Sequence, residues 1–251
     1  AGDYDGDRDP DLFLLSGHAI VDSFQEEANE HWSVLWRNDG AGHFTDVTEK
    51  AGLKAPGWSN GAVFADYDGD GDLDLFVARH GPNLLYRNNG DGTFTELGKE
   101  AGVANSGWGA GAAFADLDGD GDLDLYVTNY ARFDIREQKG TVDWFDKGVK
   151  QFPQYFEPED NKLYRNNGDG TFTDITKEAG AFGSGRSLGV VATDVDDDGD
   201  LDLFVANDVG YNNLLRNDGG RFTEAGFEAG VAANANGEFE ASMGVAAGDH
   251  D

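Results

Sequence analysis

The chain of 251 residues contains no cysteine, and it has only 1 methionine and 5 prolines. Without cysteine there is no disulfide framework and no thiolate metal site. Cations are scarce as well: 18 Lys and Arg stand against 49 Asp and Glu, a formal net charge of −31. Recognition of phosphate backbones needs clustered cations, so a nucleic-acid partner is excluded. No apolar run approaches the roughly 18–20 residues that a membrane-spanning helix requires, so this segment is expected to hold no membrane span. Apolar residues still make up 39% and aromatics 12%, enough to build a buried core.

What the chain has in abundance is aspartate in one arrangement. The stretch Asp66-Tyr67-Asp68-Gly69-Asp70-Gly71-Asp72-Leu73-Asp74-Leu75 sets a carboxylate at every second position and then enters an apolar run. The pattern returns with Asp116, Asp118, Asp120, Asp122 and Asp124, and again with Asp194, Asp196, Asp198, Asp200 and Asp202. A looser copy opens the chain with Asp3, Asp5, Asp7, Asp9 and Asp11, and a further one starts at Asp249. Nearly half of the acidic residues lie in these ladders, so the charge is localised and not a solvated tail.

The shortest spacing between ladders is about 50 residues, a period that points to a stacked array or a propeller of four-stranded blades. In the second repeat, strands are expected at 61–65, 73–78, 83–87 and 93–97. A hairpin at Asn88-Asn89-Gly90-Asp91-Gly92 joins the last two, and a turn at Lys99-Glu100-Ala101-Gly102-Val103 closes the unit. Hairpins recur at Arg37-Asn38-Asp39-Gly40, Arg165-Asn166-Asn167-Gly168 and Arg216-Asn217-Asp218-Gly219. The repeats run roughly 1–60, 61–110, 111–188 and 189–243, with 244–251 starting another, in one all-β domain. Insertions fall between the second and third strands, at 16–33 and 130–161. Four blades' worth of chain is expected to be part of a larger ring of about seven. The alternative is that 244–249 pairs beside 12–15 and closes a smaller one.

Two carboxylates ~4–5 Å apart repel by roughly 3–4 kcal/mol at an effective dielectric near 20, so a ladder needs a counter-ion. An all-oxygen, flexible donor set suits Ca²⁺ better than Zn²⁺ or Mg²⁺. In EF-hand register Asp66, Asp68 and Asp70 take positions 1, 3 and 5, Gly71 the turn, Asp72 the carbonyl position and Asp74 position 9. The bidentate Glu an EF-hand needs at position 12 is replaced by Leu14, Val77, Val127 and Val205. The loops are therefore read as calcium loops joining two strands. The first copy is weaker, because Arg8 replaces the position-6 Gly and Pro10 the Leu before the last Asp. In the last full copy Asp197 replaces a Gly.

The ladders, the Leu85-Tyr86-Arg87-Asn88-Asn89-Gly90-Asp91-Gly92-Thr93-Phe94-Thr95 hairpin residues and the Glu100-Ala101-Gly102-Val103 turn resemble FG-GAP/VCBS repeats. More narrowly, they are similar to the cartilage acidic protein 1 (ASPIC/UnbV-type) family and its bacterial relatives. The resemblance implies a β-propeller with calcium between the first two strands of each blade, held by Asp66, Asp68, Asp70, Asp72, Asp74 and their counterparts.

The function expected from this is a non-enzymatic, calcium-binding extracellular module that engages a protein or a glycan. The alternative is a carbohydrate-active propeller, a lectin or a polysaccharide lyase-like enzyme, using the aromatic insertion. There Trp144, Phe145 and Tyr155 would form the ligand surface, among the further rings Tyr130, Phe133, Phe152 and Phe156. Trp58 and Trp108 open the first strands of their blades and are read as packing residues. The histidines His18, His31, His43, His80 and His250 do not cluster at triad or metal-ligand spacing, and no catalytic constellation emerges.

Overall fold

The computed structural model describes residues 1–17, 32–132, 156–183 and 185–248. Among them lie four antiparallel sheets in which each strand pairs with its neighbour in sequence. The first holds β1 (Leu12–Leu14), β2 (Val34–Asn38) and β3 (Phe44–Asp46). The second holds β4 (Trp58–Ala65), β5 (Asp74–His80), β6 (Leu84–Asn88) and β7 (Phe94–Glu96). The third is β8 (Gly109–Ala115), β9 (Asp124–Asn129), β10 (Lys162–Asn166) and β11 (Phe172–Asp174). The fourth is β12 (Ser187–Thr193), β13 (Asp202–Asn207), β14 (Asn213–Asn217) and β15 (Phe222–Glu224). These are the blades of an all-β propeller, and in each full blade a ladder joins the first strand to the second.

Two details differ from the sequence expectation. First strands begin earlier, β4 at Trp58, because an irregularity between Ser59 and Gly61 is absorbed within the strand and pairing continues beyond it. The same offset recurs between Gly109 and Gly111 and between Ser187 and Gly189. The closing turns of the first and third blades tighten into single helical turns, α1 (Thr48–Ala51) and α2 (Thr176–Ala179). Residues 244–248, expected to start another repeat, carry no strand.

The core lies between blades. Second strands are buried on both faces, so they read as continuous apolar runs and not as alternating ones. In β5, Leu75 and Val77 face the first blade, packing with Tyr4, Leu35 and Leu53. Phe76 and Ala78 face the third, packing with Leu125, Val127 and Tyr164. A third layer joins Leu117, Tyr126 and Leu163 to Leu203, Val205 and Leu215. Burying each such side chain contributes about 1.5–3 kcal/mol.

First strands approach one another so closely that they need glycine. A Cβ on Gly61 would sit 2.4 Å from the Ala110 carbonyl oxygen, and one on Gly111 would sit 2.8 Å from that of Leu188. At the opposite edge of each interface an asparagine spans two blades. The Asn88 amide donates to the carbonyls of Tyr4 (2.8 Å) in the first blade and Leu73 (3.1 Å) in its own. Asn166 does the same to Tyr67 and Leu123, and Asn217 to Leu117 and Leu201. Each interface is also capped by a ring over the ladder of the preceding blade: Phe94 on Tyr4 and Phe172 on Tyr67, at centroid distances of 5.8 and 5.7 Å. At the two ends of the stack the matching residues Phe44 and Val195 are 41% and 47% exposed.

Replacing Asn166 by Ala removes both carbonyl contacts and is expected to cost about 2 kcal/mol. Asn167→Ala, in the exposed part of the same hairpin, should cost less than about 1 kcal/mol. Urea unfolding of the two variants checks the difference.

Candidate metal centres

Each ladder is a tight loop shaped by its own first aspartate. The Asp66 carboxylate accepts the backbone N–H groups of Asp70 and Gly71, both at 3.0 Å. Asp3 accepts from Asp7 and Arg8, Asp116 from Gly119 and Gly121, and Asp194 from Asp198 and Gly199. Positions 4 and 6 are wound into positive φ, as at Gly69 (72°) and Gly71 (95°). The substituted loops keep this shape: Arg8 sits at φ 74° and Asp197 at φ 58°. The left-handed turn is therefore retained without glycine at these positions, at a backbone cost of about 1–2 kcal/mol for each non-glycine residue.

This winding gathers carboxylates. Oxygens of Asp3, Asp5 and Asp7 lie within 4.8 Å of one another, as do those of Asp66, Asp68 and Asp70. The same holds for Asp116, Asp118 and Asp124, and for Asp194, Asp196 and Asp202. Positions 1, 3, 5 and 9 thus converge, in different combinations. The position-7 side chains turn away toward the hairpin of their own blade. Asp200 accepts the Gly219 N–H at 2.8 Å, and Asp9, Asp72 and Asp122 stand against Gly40, Gly90 and Gly168.

Position 9 has a second task that the sequence did not disclose. Asp74 is 1% exposed, and its two oxygens accept the N–H groups of Tyr67 (3.1 Å) and Asn88 (2.7 Å). Asp11, Asp124 and Asp202 repeat this pair of bonds with Tyr4 and Asn38, Leu117 and Asn166, and Val195 and Asn217. The carboxylate pins the ladder to the third strand. The signal available in sequence was the asparagine: it recurs at 38, 88, 166 and 217, whereas the next residue alternates between Asn and Asp.

The electrostatics are those of carboxylates lacking a counter-ion. Burial pushes Asp74 up to about 7 and Asp124 to about 6, against the pull of their two N–H bonds. Asp68 and Asp118 are raised as well, by burial and then by the neighbouring Asp70 and Asp120. One arginine per blade stands beside the position-3 aspartate, and in the fourth blade Arg216 pairs with Asp196 at 3.0 Å. One guanidinium cannot balance five carboxylates. A hard cation accepting several oxygens fits this donor set, and the four clusters can hold metal ions.

A family model described as FG-GAP-like repeat matches residues 3–77, 66–127 and 155–205, more than half of the chain. The chain belongs to the FG-GAP-like repeat family. Each FG-GAP match takes in one ladder or more together with the strand that follows it. No curated protein matches. Among solved structures, one described as the basis of specific recognition of non-reducing terminal N-acetylglucosamine by an Agrocybe aegerita lectin is similar at 22% identity and a TM-score of 0.38. The match covers 76% of this chain and 44% of that one, so the FG-GAP chain spans less than half of that protein's length. The aromatic residues expected to form a ligand surface, Trp144, Phe145 and Tyr155, lie outside the described residues, as do His18, His31 and the ladder opening at Asp249.

Two outcomes separate ligation from pinning. Asp70→Ala should leave stability in EDTA within about 1 kcal/mol of the parent, since it removes one exposed turn bond. Asp74→Ala strands two buried N–H groups and should cost about 3 kcal/mol or more in EDTA, read by urea unfolding. A pH dependence follows from the raised carboxyls. A folded-state pKa above the unfolded value of about 3.9 means that the native state holds the proton more tightly. That contribution is present below about pH 4 and is lost as pH rises through about 6 to 7. Melting temperature in EDTA should therefore fall across this window, and a bound divalent cation should abolish the fall.

Proposed function

We propose that the FG-GAP chain is a calcium-stabilised, extracellular, non-enzymatic interaction module whose partner is a protein or a glycan. The observation that carries this reading is the convergence of three carboxylate oxygens within 4.8 Å in all four ladders, an all-oxygen set with one arginine beside it. Calcium bound there would neutralise the ladder and hold the first two strands of each blade together. Asp66, Asp68, Asp70 and their counterparts would hold it, with position 9 contributing where it joins the cluster.

Magnitudes support the extracellular part. At millimolar calcium, a site with Kd near 10⁻⁴–10⁻⁵ M adds roughly 1.4–2.7 kcal/mol. Several such sites would rival the whole stability of a domain, typically about 5–15 kcal/mol. In cytosol the same sites would stand nearly empty. The non-enzymatic part is supported by the acids themselves, which are committed to loop N–H groups and to one another. Exposure of Phe44 and Val195, whose counterparts pack between blades, supports a place for these blades in a larger ring. The shared hairpin and Glu-Ala-Gly turn support the narrower kinship with cartilage acidic protein 1, of ASPIC/UnbV type.

Thermal unfolding in EDTA and in about 2 mM Ca²⁺ tests the reading. A rise of many degrees is expected with calcium. Isothermal calorimetry of Asp70→Ala should show one site fewer. An unchanged melting temperature would sink the proposal.

A further inference from the structure

The blades are near copies at the ladder end and cease to be copies at the other. Where the first strand begins and the second ends, the second blade carries Trp58 and His80, the third Trp108 and Tyr130, and the fourth Arg186 and Asp208. These positions are equivalent, each pair being joined across the two strands: Trp58 opposite His80, Tyr130 N–H to the Trp108 carbonyl, and Asp208 N–H to that of Arg186. Blade packing makes the same demand on every repeat, so it does not account for three different chemistries at one site.

The six side chains form one continuous patch. Trp58 and Trp108 lie 5.4 Å apart, and Trp108 lies 5.5 Å from His80 and 5.1 Å from Tyr130. The Tyr130 hydroxyl donates to the Asp208 carboxylate at 2.5 Å. Arg186 stands beside Tyr130 and donates to the Phe156 carbonyl. Tyr130 is buried with Ala110 and Ala131 beneath the patch, whereas the other five side chains remain partly exposed. In a molecule of net charge −31 this patch carries Asp208 and Arg186, with the Glu159 carboxylate at the Trp108 N–H and the Arg79 guanidinium against Gly57 beside it, so its charges offset one another.

Aromatic faces with a few oriented polar groups suit a ligand that has an apolar face and a rim of hydroxyls. An anionic ligand would be repelled by the whole molecule, and a cationic one would be drawn to the aspartate ladders at the other end rather than to a patch whose charges offset. We infer that this face, opposite the ladders, binds an uncharged glycan. A pyranose would stack on Trp58 and Trp108, with its hydroxyls bonded by Asp208, Arg186 and His80. The inference rests on the reading of the chain as an interaction module and assigns its contact surface.

The test uses the whole chain in calcium, with tryptophan fluorescence and calorimetry against neutral tetrasaccharides of glucose, galactose and mannose. Polylysine and polygalacturonate serve as charged probes. At least one neutral sugar is expected to bind. Asp208→Asn and Arg186→Gln should each weaken it about tenfold or more, the equivalent of one charge-assisted hydrogen bond, without lowering the melting temperature. Trp58→Ala should weaken it further, and Asn167→Ala, in an exposed hairpin at the ladder end, should leave it unchanged. The inference is overturned if no neutral sugar binds, if only a charged probe binds, or if the Asp208 and Arg186 variants bind as the parent does. A persistent calcium effect on melting in any of these cases would leave the calcium reading standing and remove only the glycan site.

Discussion

The buried carboxylate at the end of each ladder ties the rest of the structure together. Asp74 accepts two N–H groups, one from its own loop and one from Asn88 on the third strand. That same asparagine turns its amide to the Tyr4 carbonyl of the neighbouring blade. A single chain of hydrogen bonds, charge-assisted at the carboxylate, thus runs from ladder to third strand to the neighbouring ladder. Inside a protein such bonds are strong, and breaking one leaves buried groups unsatisfied. The loops that gather charge are therefore also the hinge pins of the interfaces.

This coupling gives the cost of the ladder a structural consequence. Without a cation the aspartates repel one another, and burial raises the carboxyls of Asp74 and Asp124 to about 7 and about 6. A cation in the loop would favour the ionised form on which the N–H bonds depend. Stabilisation of the loop would then be transmitted to the blade interface through the buried position-9 carboxylates, two of which, Asp124 and Asp202, join the clusters themselves. Positions 1, 3 and 5 face this task from the exposed side, whereas position 9 serves it from the interior and position 7 braces the hairpin.

The two ends of the blades obey different constraints. At the ladder end each blade must fit the next, and residues recur: the asparagine pins and the Phe94 and Phe172 caps. At the opposite end the strands have already met and side chains face outward, so packing no longer dictates identity. The pairs Trp58–His80, Trp108–Tyr130 and Arg186–Asp208 occupy one structural position with three chemistries. Variation within an otherwise repeated frame is where a recognition surface can be written at little cost to the fold.

Repeat length, strand order, hairpins and loop type were all legible in sequence because they rest on local signals. Glycine and asparagine set the turns, apolar runs set the strands, and alternate aspartates set the ladders. Those signals also named the loops in which carboxylate oxygens converge. They could not divide the five aspartates of a ladder among ligation, bracing and pinning, since all five look alike along the chain. Nor could they show why Gly61 is glycine, or that Trp58 meets Trp108 and Tyr130 meets Asp208. Such contacts join residues of different blades, so no periodicity within a repeat encodes them. The sequence by itself determined the blade, its loops and its charge; only the stacking of blade on blade decided which aspartates are buried and which side chains share a face.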